Sequence, residues 1–83
     1  MRDVAFIKWV KDKLLRGYTF KEETAPGDPQ YLGFEDESGN WCIMKLTASG
    51  ATFAKGSVDY HANFSNCENL DYSYYFNLFR SQA

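Results

Sequence analysis

At 83 residues and a net charge of −2, the chain is one domain near the lower limit of what folds unaided. Seven Phe, six Tyr and two Trp let a small interior bury much area, yet fifteen rings exceed what so small a core easily hides. Two cysteines without CxxC spacing and a single histidine exclude a zinc site and a disulfide framework, and no stretch is long enough for a membrane-spanning helix.

Charge is unevenly spread. Residues 1–21 carry six cations against two acids, a balance of +4, and residues 22–83 carry three cations against nine acids, a balance of −6. The two parts can attract each other within the fold or between neighbouring copies, and a basic end can also meet nucleic acid. The acidic remainder argues against nucleic acid as the main ligand. Arg2-Asp3 leads into a mixed pattern, not an apolar run, so no secretory leader is expected. Cys42 and Cys67 are expected as free thiols of a reducing cytosol, with a single disulfide the alternative.

The first element predicted is an amphipathic helix over residues 3–16. Asp3 caps it, and Phe6, Ile7, Val10 and Leu14 form an apolar stripe flanked by Trp9. Lys8, Lys11 and Lys13 fall on the other faces, and Lys8 has the spacing to pair with Asp12. Arg16 suits the negative end of the helix dipole, and Gly17 is the stop.

A short extended piece, Tyr18–Lys21, precedes a loop from Glu22 to Pro29 that holds both prolines. This loop is the best candidate for a flexible segment. The centre of the chain is a β-hairpin, with strands near 30–35 and 41–47 joined by Glu35-Asp36-Glu37-Ser38-Gly39-Asn40. Ala48-Ser49-Gly50 turns the chain again, and residues 51–55 return as a further strand. Alternation sends Trp41, Ile43 and Lys45 to one face and Cys42, Met44 and Leu46 to the other. Both faces carry apolar residues, so each needs a cover, one the helix and one the C-terminal segment or a partner. Tyr31, Trp41 and Ile43 read as core. Gly56 to Asn69 is polar and irregular, anchored by Tyr60 and Phe64. The aromatic end fits two readings: Leu70, Tyr74 and Leu78 have helical spacing, and Tyr72, Tyr74, Phe76 and Leu78 alternate as in a strand. The β-favouring rings tip it to a helical turn at 67–71 and then a strand over 72–79.

Chemistry-bearing motifs are sparse. His61 follows Asp59-Tyr60 without any nucleophile motif, and reads as a surface residue. Glu35, Asp36, Glu37 and Asn40 lack the spacing of a calcium loop and read as a solvated turn. The glycines are spaced as turns and bulges, not as a phosphate cradle. No cofactor, metal or small-molecule substrate is expected.

From residue 31 to 72 the order of landmarks is distinctive: Tyr31-x-Gly33, Trp41-x-Ile43-x-Lys45-Leu46-Thr47, Phe53-Ala54-x-Gly56, Tyr60, Phe64-x-Asn66 and Leu70-x-Tyr72. This resembles a group of small, mostly uncharacterised structural-type proteins of tailed bacteriophages. Their pattern is a Tyr-x-Gly strand, a Trp-x-Ile-Lys strand, an aromatic-Ala-x-Gly strand end, then Trp-x-Asn-Arg and Leu-x-Tyr. Phe64 and Cys67 stand where that group has Trp and Arg, and residues 3–16 lie outside the shared region. The resemblance implies a place in a virion head, neck or tail, reached by assembly in the bacterial host cytoplasm, and implies no enzymatic activity.

These readings combine into one α+β domain over residues 1–83, an N-terminal amphipathic helix packed on a small three- or four-stranded antiparallel sheet. The sheet and C-terminal segment occupy residues 18–79. The expected role is non-enzymatic binding of other phage proteins or of copies of itself, without a membrane. Lys8, Trp9, Lys11, Lys13, Tyr60, Tyr74 and Tyr75 are the expected contact residues. One alternative is an inhibitor of a host or defence protein, with Glu22, Glu23, Asp28, Glu35, Asp36 and Glu37 mimicking phosphate charge. A second is a nucleic-acid-binding module that uses the basic helix.

Overall fold

A computed structural model describes residues 8–25 and 27–75, except the side chain of Lys11. Four strands, β1 (Thr19–Glu23), β2 (Gln30–Glu35), β3 (Trp41–Thr47) and β4 (Gly50–Gly56), form one antiparallel sheet in the order β1-β2-β3-β4. The central hairpin pairs Gly33 with Ile43 and Phe34 with Cys42, and β3 pairs with β4 through Met44–Phe53. Asp36 closes the first turn. Its Oδ1 accepts the Ser38 and Asn40 amides at 2.9 Å, and its Oδ2 accepts the Asn40 side chain at 2.9 Å. Gly39 takes a φ of +91°, which a residue with a Cβ adopts only under strain.

The sheet is buried on both faces. On one lie Leu32, Phe34, Cys42, Met44 and Phe53, joined by Val10 and Leu15. On the other lie Tyr31, Trp41, Ile43 and Ala54, joined by Tyr60 and Cys67. Cys42 and Cys67 thus sit on opposite sides of the sheet as free thiols, and burial pushes the Cys42 thiol up to about 12. Each fully buried large apolar side chain contributes about 1.5–3 kcal/mol. The paired central strands therefore organise the molecule and the flanking segments serve as covers.

The expectation of an N-terminal amphipathic helix packed across the sheet is corrected. The α-helix packed on the sheet, α1 (Tyr60–Ser65), lies C-terminal to the strands and is followed by a 3₁₀ turn at Cys67–Asn69. Residues 1–7, with Asp3, Phe6 and Ile7, lie outside the described residues. Val10–Leu14 is a π-helical turn in which the Leu15 amide donates to the Val10 carbonyl at 2.9 Å. In a regular helix, positions five apart diverge by about 140°. The wider turn brings both Val10 and Leu15 to the core at 1 % exposure. Gly17 ends the segment at a φ of +90°.

Strand β1 extends through Glu22 and Glu23, beyond the expected Tyr18–Lys21, because a bulge between Phe20 and Glu22 restores its register with β2. The base of the following loop is pinned. Buried Gln30 donates to Glu23 Oε1 and the Thr24 carbonyl, both at 3.0 Å, and Tyr31 N–H donates to Thr24 Oγ1 at 3.0 Å. The expected strand at 72–79 is a single bridge within the described residues. Phe53 and Ser73 exchange backbone bonds of 2.7 and 2.9 Å on the outer edge of β4, and residues 76–79 lie outside the described residues.

Two glycines make room for rings. A Cβ on Gly33 would collide with the Tyr60 ring and hydroxyl and press on Phe64, and one on Gly56 would enter the Trp41 indole. Gly33→Ala is expected to cost about 1–3 kcal/mol by urea denaturation, the range for overpacking, while Gly27→Ala, whose added methyl meets nothing closer than 3.7 Å, stays within about 0.5 kcal/mol of wild type. Equal stability of the two variants would show that the Tyr60 ring does not rest on β2.

Candidate interaction surface

The segments that cover the sheet also make its outer surfaces. On the Leu32–Met44 side, the π turn and the residues around it direct Val10, Leu14 and Leu15 inward. Lys8, Trp9, Lys13 and Arg16 are left exposed. Trp9 keeps 51 % of its surface in solvent. Lys8 pairs with Asp12 at 2.8 Å, and that bond holds the lysine pKa above its ordinary value. Both ends are exposed, so the pair adds little to stability. Lys13 and Arg16 make no ion pair among the described residues, and they line a hollow of about 570 Å³ with Asp12, Gly17 and Tyr18.

The opposite side has the opposite charge. Tyr60 and Phe64, four residues apart on α1, turn into the core with Cys67, Leu70 and Tyr72. Asp59, His61, Glu68 and Asp71 face solvent. Asp59 enters the helix in the left-handed conformation, with a φ of 59°. The preceding loop is held by the Trp41 indole N–H, which donates to the Val58 carbonyl at 2.7 Å, while the Val58 side chain is 67 % exposed. Asp59, Glu68 and Asp71 make no ion pair among the described residues.

The expected contact residues separate into three groups. Lys8, Trp9 and Lys13 share the basic surface, and the Lys11 side chain lies outside the described residues. Tyr74 is 71 % exposed, beside the bridge to β4. Tyr60 is corrected to a core residue: it is 8 % exposed, and its hydroxyl donates to Glu22 Oε2 at 2.8 Å. Burial and the neighbouring carboxylate push its pKa up. Tyr75 is half-buried against Phe53, and its hydroxyl donates to the Leu14 carbonyl at 2.6 Å. These two tyrosines join distant parts of the chain to each other.

Val58, Arg16, Glu68 and Asp71 were not among the expected contacts. A signal for the last two was present: residues 57–75 contain three acids and neither Lys nor Arg. Among the described residues no group of three or more His, Cys, Asp or Glu side chains could hold a metal ion, and no helix is long and apolar enough to cross a membrane. Comparison of the chain with family models, with curated proteins and with solved structures gave no match.

The acidic hairpin turn makes a pH-dependent contribution. Hydrogen bonding from the Asn40 side chain, reinforced by backbone amides, holds the Asp36 carboxyl below its ordinary 3.8. A depressed folded pKa adds stability that is present above the unfolded value and lost as pH falls through the folded one. Asp36→Asn is therefore expected to be less stable than wild type at neutral pH, with the gap closing below about pH 4 in urea titrations. A gap independent of pH would remove Asp36 from the acid response.

Proposed function

We propose that this chain is a non-enzymatic protein-interaction module, a small structural or assembly component of a tailed-phage virion. The observation that carries the reading is the exposure of Trp9 and Tyr74, at 51 and 71 %, while the other aromatic rings among the described residues are buried or half-buried. Aromatic residues are enriched at protein contacts, where a ring buries much area at low entropic cost. The landmark order from Tyr31 to Tyr72 supplies the phage context by resemblance.

The inhibitor reading draws less support from its own residues. Of the six carboxylates it requires, Glu22 accepts the Tyr60 hydroxyl, Glu23 accepts Gln30, Glu35 faces Lys21 at 3.6 Å, and Asp36 is enclosed by its turn. Groups engaged in this way hold the fold and present less free charge to a basic groove.

Mass spectrometry of purified virions whose genome carries this sequence is expected to find the chain at a fixed ratio to the major capsid protein. Its absence from particles, with the chain recovered free in the lysate, would overturn the virion role.

A further inference from the structure

We infer that copies of this chain stack head to tail, the basic surface of one on the acidic surface of the next. The inference rests on the interaction-module reading and names its partner.

The charge balance is the first observation. Residues 8–18 hold Lys8, Lys11, Lys13 and Arg16 against Asp12, a balance of +3, and residues 57–75 hold Asp59, Glu68 and Asp71 without a cation, a balance of −3. The first segment packs on one face of the sheet and the second, as far as Tyr72, on the other. Lys45 also belongs to the acidic side and keeps its charge, its ammonium lying over the Tyr72 ring at 5.6 Å, so it offsets one of the three acids and leaves them in excess. Lys13 and Arg16 on one surface, and Asp59, Glu68 and Asp71 on the other, have no ion-pair partner among the described residues. Each surface also exposes a large apolar side chain, Trp9 on the first and Val58 on the second.

Other ways of joining two copies are disfavoured. The outer edge of β4 is blocked at Phe53 by Ser73. The edge of β1 is broken by the bulge beside Lys21 and bordered by Glu22 and Glu23. These are the devices that keep strand edges from pairing. A two-fold contact through either surface would set like charge against like. A head-to-tail contact sets opposite charges together, and because it is heterologous it propagates into rings or filaments.

Sedimentation velocity over a concentration series, at low and at high salt, tests this. Wild type is expected to grow past a dimer at low salt and to dissociate at high salt. Lys13→Gln with Arg16→Gln, and separately Glu68→Gln with Asp71→Gln, are each expected to weaken self-association about tenfold or more while keeping wild-type circular dichroism. Mixed in equal amounts, the two double variants retain one good interface between them, and are expected to form a heterodimer and stop. Trp9→Ala is expected to weaken assembly by a comparable factor or more.

A wild type that stays monomeric throughout, an assembly that stops at two, or assembly insensitive to both double variants would each overturn the stacking. So would a monomer that instead binds random-sequence duplex DNA through Lys13 and Arg16, with affinity falling steeply with salt. A monomeric chain still found at fixed ratio in virions removes the stacking and leaves the interaction-module reading in place. A monomer absent from virions removes both.

Discussion

A β-hairpin with apolar side chains on both faces cannot stand in water, and this constraint shapes the whole molecule. Phe34, Cys42 and Met44 leave the β2–β3 pair on one side, and Tyr31, Trp41 and Ile43 leave it on the other. Burying both sets requires two covers. The segments before and after the sheet provide them. Val10–Leu15 covers one face, and Tyr60–Tyr72 covers the other. The outer surfaces of these covers are therefore the backs of segments whose fronts are fixed by the core.

The two covers are joined at one edge of the sheet. Tyr72 packs with the Tyr31 side, its hydroxyl donating to the Cys67 carbonyl at 2.7 Å, and Tyr75 packs with the Phe53 side. Between them Ser73 bonds to both backbone groups of Phe53, so the chain passes from one face to the other across β4. Tyr75 then donates to the Leu14 carbonyl, tying this crossing to the first cover. At the other edge, the Tyr60–Glu22 bond fastens β1 to the second cover. Net hydrogen bonds of this kind contribute about 1 kcal/mol each, less than the burial beside them. Their part is to fix which cover lies where.

The sheet was legible in the sequence because its signals are local. Alternation assigned Trp41 and Ile43 to one face and Cys42 and Met44 to the other, and the polar stretch 35–40 with its Gly39-Asn40 pair marked the turn. Gly17 marked the end of the first segment, and the Lys8–Asp12 pair was visible in its spacing. The covers were not legible, since each departs from the period used to find it. Leu15 lies off the α-helical stripe and reaches the core only through the wider π turn. Helix α1 is six residues long, with only Tyr60 and Phe64 as its periodic signal. The alternation from Tyr72 onward implied a strand, yet Tyr72 packs on one face and Tyr75 on the other, with Tyr74 exposed between them, as the chain rounds the edge. Tyr60 was expected both to anchor a polar stretch and to meet a partner, and the absence of a side chain at Gly33 is what lets its ring lie inside.

Charge and apolar surface have different roles in what the covers present. Exposed ion pairs are worth about 0–1 kcal/mol each and are screened beyond about 8–10 Å, so two of them together supply a factor of about ten, and Lys13, Arg16, Glu68 and Asp71 also set orientation and rate of approach. A half-exposed Trp9 has the area to supply strength once its ring is desolvated. Because opposite charges lie on opposite faces of a sheet whose edges are obstructed, orientation and anchor favour the same geometry, a face of one molecule on the other face of the next. In the stack proposed above, the contact that joins copies also stabilises each folded chain, since whatever binds only the folded chain shifts it away from the unfolded one.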